Sequence, residues 1–286
     1  MLEEKQLKYR SHHVDILKGE QYEEWYMKLN PNAAVPTVVH QGKTITGSTA
    51  IIRFLDETFA GSCRLIPKDA EEEKAMMEWL AVADSVPMEI ILYGKRLQAG
   101  GPAAKVADTL HHSRGELLKK ELESAPERLR EFYEKKLAYV QVVEDKVHNA
   151  ALVESLVVEH FERGCLDTLE GALRDRDYLV GSSYTLADAC WTMILQRTND
   201  LGLGRRFWAD GKRPKVEGYL RRMLSRPSFD RAVTSLVPKS NSSPNLLPGQ
   251  RKGGIFRSPW FWGGLVVTVA GVVAAVYLNK GEKQLV

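Results

Sequence analysis

The chain has 286 residues and a mass of 32.2 kDa, enough for about two modest domains. Hydrophobic residues make up 44% and charged residues 27%, which excludes a wholly disordered chain, and a net charge of +3 over this length gives no footprint for nucleic acid. Three scattered cysteines, Cys63, Cys165 and Cys190, form no C-x-x-C pair, so a disulfide framework is excluded and a reducing, cytosol-facing compartment is expected.

The opening MLEEKQLKYR is charged and has no apolar core, so it is not a secretory signal. Residues 2–7 read as the last turns of an earlier element, and Tyr9 to Leu17 as a strand. Residues 20–29 suit a helix with Tyr22, Trp25, Tyr26 and Leu29 facing inward. Next comes NPNAAVPTVVHQGKTITGSTAIIRFL, residues 30–55. Thr37–His40 and Thr44–Thr46 flank a Gln41-Gly42-Lys43 turn, a hairpin signal. From Ser48 the period changes, with Ile51, Ile52, Leu55 and Phe59 at helical spacing. Pro36 has no N–H, which suits the start of a strand; its second reading is a cis-proline that holds Val35 with a free backbone edge.

Beyond Asp69 the pattern is helical. Asp69 with Glu72, Ser113 with Glu116, Ser124 with Glu127, and Thr185 with Asp188 all fit the spacing of a capping box. Residues 94–112 read as a long inter-helix connection, and 127–176 as two long amphipathic helices. The Pro/Ser/Gly/Asn-rich run at 237–258 marks a flexible linker. Residues 259–278, PWFWGGLVVTVAGVVAAVYL, carry no charge. At about 1.5 Å per residue they reach about 30 Å, the thickness of a bilayer's hydrocarbon core. Only eight residues follow, so the expectation is a tail anchor. Basic residues on both sides of it favour the mitochondrial outer membrane, with the rest of the chain on the cytosolic side.

Candidate chemistry is sparse. His12-His13 and His111-His112 are adjacent pairs, which point to different faces and cannot chelate as pairs, so no metal site is expected. There is no nucleophile elbow and no phosphate-cradling glycine loop. The basic residues from Arg205 to Arg231 read either as a solvated helix face or as a surface for anionic lipid.

The N-x-x-x-x-V-P run with its hairpin, the G-S-T-A-I-I helix start and the S-Y-T-L-A-D box together resemble the glutathione S-transferase fold. That resemblance covers about residues 1–236 and implies an incomplete thioredoxin-like domain over 1–68 and a helical domain over 69–236 with an insertion at 94–126; with the linker and the apolar run, the expected chain is α+β and ends in a transmembrane helix. It implies that Pro36 is the cis-proline, that Val35 offers its backbone to the cysteinyl part of glutathione, and that Ser48 is a remnant of the γ-glutamyl site. In the family's sheet the first strand lies between the strands matched by residues 9–17 and 37–40. This chain is expected to lack it, together with the thiol-activating residue, so no catalytic residue is assigned. Residues 1–68 are then expected to be loosely ordered or dependent on a partner strand.

The 94–126 insertion, WADGKRP at 208–214, YLRRMLSRPSF at 219–229 and the apolar tail are similar to the ganglioside-induced differentiation-associated protein 1 family. This finer resemblance implies a regulator of mitochondrial fission and network shape, on the mitochondrial outer membrane and also on peroxisomes. It would act through protein partners or as a homo-oligomer, with weak glutathione binding, no required cofactor and no nucleic acid. The rival expectations are a membrane-bound glutathione transferase and a lipid-surface adaptor.

Overall fold

A computed structural model describes residues 1–16, 18–59, 63–233 and 275–278. The described chain divides into two compact units. The first comprises Met1–Pro67, the helix that begins at Pro227, and a four-residue strand near the C-terminus; the second runs over Lys68–Arg226.

The first unit is a small α/β body. Strand β1 is Tyr9–His12, shorter than the expected 9–17, and a 3₁₀ turn at Glu20–Tyr22 leads into α1, Glu24–Leu29. The hairpin forms as read, with β2 at Thr37–His40 and β3 at Lys43–Thr46 in antiparallel register. Gln41 and Gly42 both take positive φ at its tip. Helix α2, Ser48–Thr58, lays Ile51 and Leu55 against Val38 and Ile45 to form the core. The strand that the family resemblance placed between residues 9–17 and 37–40 has a counterpart. Ala275–Leu278, here β4, occupies that position, giving the order β1-β4-β2-β3.

Residues 2–6 are a run of turns. In them the Lys5 N–H reaches the Met1 carbonyl, and the Lys5 ammonium lies fully buried 2.9 Å from Asp56. Asp56 also accepts from the Leu65 and Ile66 N–H groups at 3.0 and 3.2 Å. The final helix of this unit, Pro227–Ala232, returns to the same N-terminal turns: Arg231 donates to Glu3 at 2.8 Å and Ser228 to Glu4. Pro227–Ala232 therefore belongs with the first unit and not with the expected 69–236 domain.

The second unit is all-helical. Helices α3 (Ala70–Ser85) and α4 (Met88–Ala99) lead into α5 (Gly101–Ser124) and α6 (Glu127–His148). Residues 94–112 are thus helix and not a connection: Gly100 and Gly101 break the path, and α5 begins with proline in its first turn. Two of the proposed caps fail for the same reason, because Ser113 lies inside α5 and Ser124 ends it. Asp69 does cap α3, accepting from the Glu71 and Glu72 N–H groups. After α6 come α7 (Ala150–Ser155), a π-helical stretch over Leu156–Leu166 and α8 (Asp167–Ala172).

Helix α9, Leu186–Asp200, opens on a complete capping box between Thr185 and Asp188. The buried Asp188 carboxylate also accepts from the Leu179 N–H and the Tyr219 hydroxyl, both at 2.9 Å. Tyr219 sits on α11, Pro214–Leu224, so a single carboxylate joins a loop, a helix start and a second helix.

No helix among the described residues is long and apolar enough to cross a membrane. The linker at 237–258 and the tail up to residue 274 lie outside the described residues. The last four residues of the apolar run form β4, which corrects the expectation of a helix over those positions.

Candidate functional site

Two of the predicted site residues are positioned by the loop between α1 and β2. The Val35–Pro36 peptide is cis, as the second reading of Pro36 proposed. A buried polar brace shapes the approach to it. The Tyr26 hydroxyl and the Asn30 side-chain amide both donate to the Ala34 carbonyl, at 2.7 and 2.6 Å. Asn30 also donates to Thr37 Oγ1 at 3.2 Å, and that hydroxyl in turn donates to Tyr26 Oη at 2.9 Å. All three side chains are buried, and burial raises the Tyr26 pKa. The brace satisfies its own members and leaves Val35 outside the network. Val35 is partly buried and packs against the Val14–Tyr26 cluster, as do Ile16 and Trp25. Among the described residues its N–H and C=O make no hydrogen bond, the free edge expected at this position.

The register brings the third predicted residue to the same end of the hairpin. Thr37 pairs with Thr46, so Pro36, one step before Thr37, and Gly47, one step after Thr46, lie at one end. Gly47 takes φ 84°, and Ser48 begins α2 in an exposed position. No side chain caps α2, and its first turn holds no acidic residue. Its first N–H groups are therefore available, and with the helix dipole they favour an anion. A free peptide edge and an uncapped helix start at one end of a hairpin are suited to a short extended ligand that ends in a carboxylate.

The part of this site that sequence reading missed is the brace. In the sequence Tyr26 reads as an inward-facing helix residue, and Asn30 only as the first letter of a motif. Asparagine held five residues before Val35 was the available signal.

Burial pushes Cys165 and Cys190 up to about 11, the opposite of what a nucleophile needs. The basic residues from Arg205 to Arg231 are largely neutralised. Arg206 lies 2.8 Å from Glu154, Arg213 2.6 Å from Asp167, Arg222 3.5 Å from Asp177 and Arg231 2.8 Å from Glu3. Arg226 stacks on the Tyr184 ring.

Family models describe both parts of the chain: the glutathione S-transferase N-terminal domain matches residues 1–58 and the C-terminal domain matches 138–227. A tetrachloro-p-hydroquinone reductive dehalogenase of Sphingobium chlorophenolicum is 33% identical over 234 residues, covering 81% of this chain and 88% of that protein. The chain belongs to the glutathione S-transferase family. Ganglioside-induced differentiation-associated protein 1-like 1 of Mus musculus is 24% identical over 258 residues, 82% of this chain and 68% of that protein. The finer resemblance thus has a counterpart, at lower identity than the bacterial dehalogenase. Among solved structures, the β-etherase LigF of Sphingobium sp. strain SYK-6 covers 80% of this chain and 90% of its own, at 27% identity and a TM-score of 0.58.

Proposed function

We propose that this member of the family binds glutathione weakly at the Val35 edge and the start of α2, and acts at a membrane through interaction more than through turnover. The observation that carries the glutathione reading is the unpartnered Val35 backbone beside the uncapped N-terminus of α2. An extended tripeptide offers the matching main-chain groups to the first and a carboxylate to the second. Gly47 stands where the family usually has a glutamate or glutamine beside Ser48, so one anchor for the ligand's amine is absent and the affinity is correspondingly low.

The membrane part of the reading rests on the charge-free run 259–278, of bilayer length, with tryptophan and tyrosine near its ends. The resemblance to the ganglioside-induced proteins supports the mitochondrial outer membrane, with peroxisomes as a second location, and a role in mitochondrial fission through protein partners or self-association. The paired state of the basic residues makes the lipid-adaptor reading the weaker of the two rivals. A glutathione-dependent enzyme is the stronger one, favoured by the 33% identity to a reductive dehalogenase.

Calorimetric titration of the full chain in mild detergent tests the site. A dissociation constant on the order of 1 mM for glutathione, about −4 kcal/mol, is expected, and no heat of binding at 10 mM would end the glutathione reading. Conjugation of chlorodinitrobenzene should stay at background, while robust turnover of it or of a chlorinated hydroquinone would replace the interaction reading with the enzyme. Carbonate-resistant association with mitochondria that is lost when residues 259–286 are deleted is the result the anchor requires.

A further inference from the structure

The most unusual feature of the first unit is the origin of β4. Its four residues come from the far end of the chain and lie between β1 and β2. Against β1 they run antiparallel, with Ser11 opposite Val276 and Tyr9 opposite Leu278. Against β2 they run parallel, with Val38 opposite Val276 and His40 opposite Leu278. Without them, β1 and β2 would each present a row of unpaired peptide groups on the side facing the gap. The segment is suited to the place: Ala-Val-Tyr-Leu is uncharged and rich in strand-forming residues, as a strand hydrogen-bonded on both sides requires.

The same four residues close the apolar run 259–278. A helix through all twenty reaches about 30 Å, whereas the sixteen left at 259–274 reach only about 24 Å, short of a bilayer core. One copy of the tail cannot both fill the sheet and span a membrane.

We propose that the gap between β1 and β2 is a docking slot for an extended apolar segment, that its occupant away from membranes is Ala275–Leu278 of the same chain, and that its occupation and membrane insertion exclude one another. The exclusion rests on the membrane reading given above; the slot does not. Tail release then has a defined consequence, because the first unit exchanges its central strand for an anchor. The released slot offers β1 and β2 edges to another strand.

Cysteine pairs read the slot directly. Opposite residues of an antiparallel pair have Cα atoms about 4.5–5.5 Å apart, and neighbouring strands of any sheet lie about 4.7–4.9 Å apart, both within reach of a disulfide. Two versions of the full chain, Ser11→Cys/Val276→Cys and Val38→Cys/Val276→Cys, are oxidised with copper–phenanthroline in detergent-free buffer and the disulfides mapped by mass spectrometry. The second pair guards against loss of folding in the first. Formation of the intramolecular disulfide in at least half of the chains is expected, falling at least fivefold in chains floated on phosphatidylcholine/phosphatidylethanolamine vesicles. No 276 cross-link in buffer with either pair, while both variants keep a native thermal transition, overturns the slot. A disulfide between two chains overturns the assignment to the same chain, and undiminished cross-linking in floated chains overturns the exclusion. Cross-linking in buffer with no flotation at all leaves the slot standing and removes the membrane reading.

Discussion

The two units solve the problem of buried polarity in different ways. In the second, the buried Asp188 is a largely local hub: it takes the Thr185 N–H and hydroxyl three residues away and the Leu179 N–H nine residues away, with only Tyr219 more distant. In the first, the sheet has strands of four residues and depends on partners far along the chain. Lys5 meets Asp56, Glu3 meets Arg231, and β4 comes from residue 275. A unit held by distant contacts is cooperative but exposed to the loss of any one of them; a unit with local hubs fails when a hub is removed.

The largest effect expected is at such a hub. Asp188→Ala leaves four donors without their acceptor in a buried site, at about 1–3 kcal/mol for each that finds no replacement, and it removes the Asp188 half of the capping box of α9. A loss of roughly 4 kcal/mol or more is expected, seen in urea denaturation and as lost amide-exchange protection across 186–200. Protection that stays near wild type would show that α9 does not depend on its cap. Lys5→Ala comes next. It removes the nearer cation from the buried Asp56 carboxylate, which keeps the Leu65 and Ile66 N–H groups and Arg64 at 3.8 Å, so about 1.5–3 kcal/mol is expected. Exchange should rise in residues 1–67 while 186–220 remains protected, and a uniform rise in both would deny that the units respond separately.

These two positions also mark what could be read from sequence. Thr185-x-x-Asp188 is a local pattern whose mechanism lies within four residues, and it was legible, as were the β2–β3 hairpin and the period of α2. Lys5–Asp56 and β4 were not, because nothing in a lysine or in an apolar tail names a partner fifty or two hundred residues away. Helix α5 was missed for a different reason: paired glycines at 100–101 and two adjacent histidines mimic a loop, but φ values of 68° and 71° confine the irregularity to the glycines. For the candidate site, Val35, Pro36 and Ser48 were visible as a motif. The Tyr26–Asn30–Thr37 brace needed coordinates, since its members lie on a helix, at its end and on the following strand, across an irregular loop.

The units should also respond to pH in opposite directions. Burial raises Asp200 from the usual range to about 6, although Arg197 and Gln196 oppose the shift. A folded pKa above the unfolded one means that the native state holds the extra proton. The contribution of Asp200 to the second unit's stability therefore falls as pH rises from about 4 to about 6, by roughly 3 kcal/mol for a shift of about two units. In the first unit, burial alone would raise Glu3, but hydrogen bonds from Tyr9 and Arg231 hold it below its ordinary value. Its contribution is present above the unfolded pKa and is lost as pH falls. Urea midpoints at pH 4.5 and 7, read by exchange in peptides from each unit, should move in opposite senses. Asp200→Asn should flatten the second unit's dependence, and an unchanged slope in that variant would assign the effect to another group.

The smallest effect tests how tightly the second unit is packed. Gly94 sits in α4, where an alanine would ordinarily help, since glycine costs a helix up to about 1 kcal/mol. Here a methyl group would stand 2.4 and 2.9 Å from the two γ-carbons of Val153, far inside contact distance. Val153 is fully buried on α7 and has a single side-chain torsion, so it cannot swing clear without moving its backbone. Overpacking of this kind costs about 1–3 kcal/mol, and after the gain in helix propensity Gly94→Ala should lose about 1 kcal/mol. Val153→Ala alone opens a cavity and is also destabilising. The two faults are complementary in volume, so the double variant should be more stable than the sum of the singles predicts, with a coupling of at least about 0.5 kcal/mol in a double-mutant cycle. Additive losses would mean that α4 and α7 move apart at little cost, and that the rigidity of the second unit comes from its hydrogen-bonded hub and not from close helix contact.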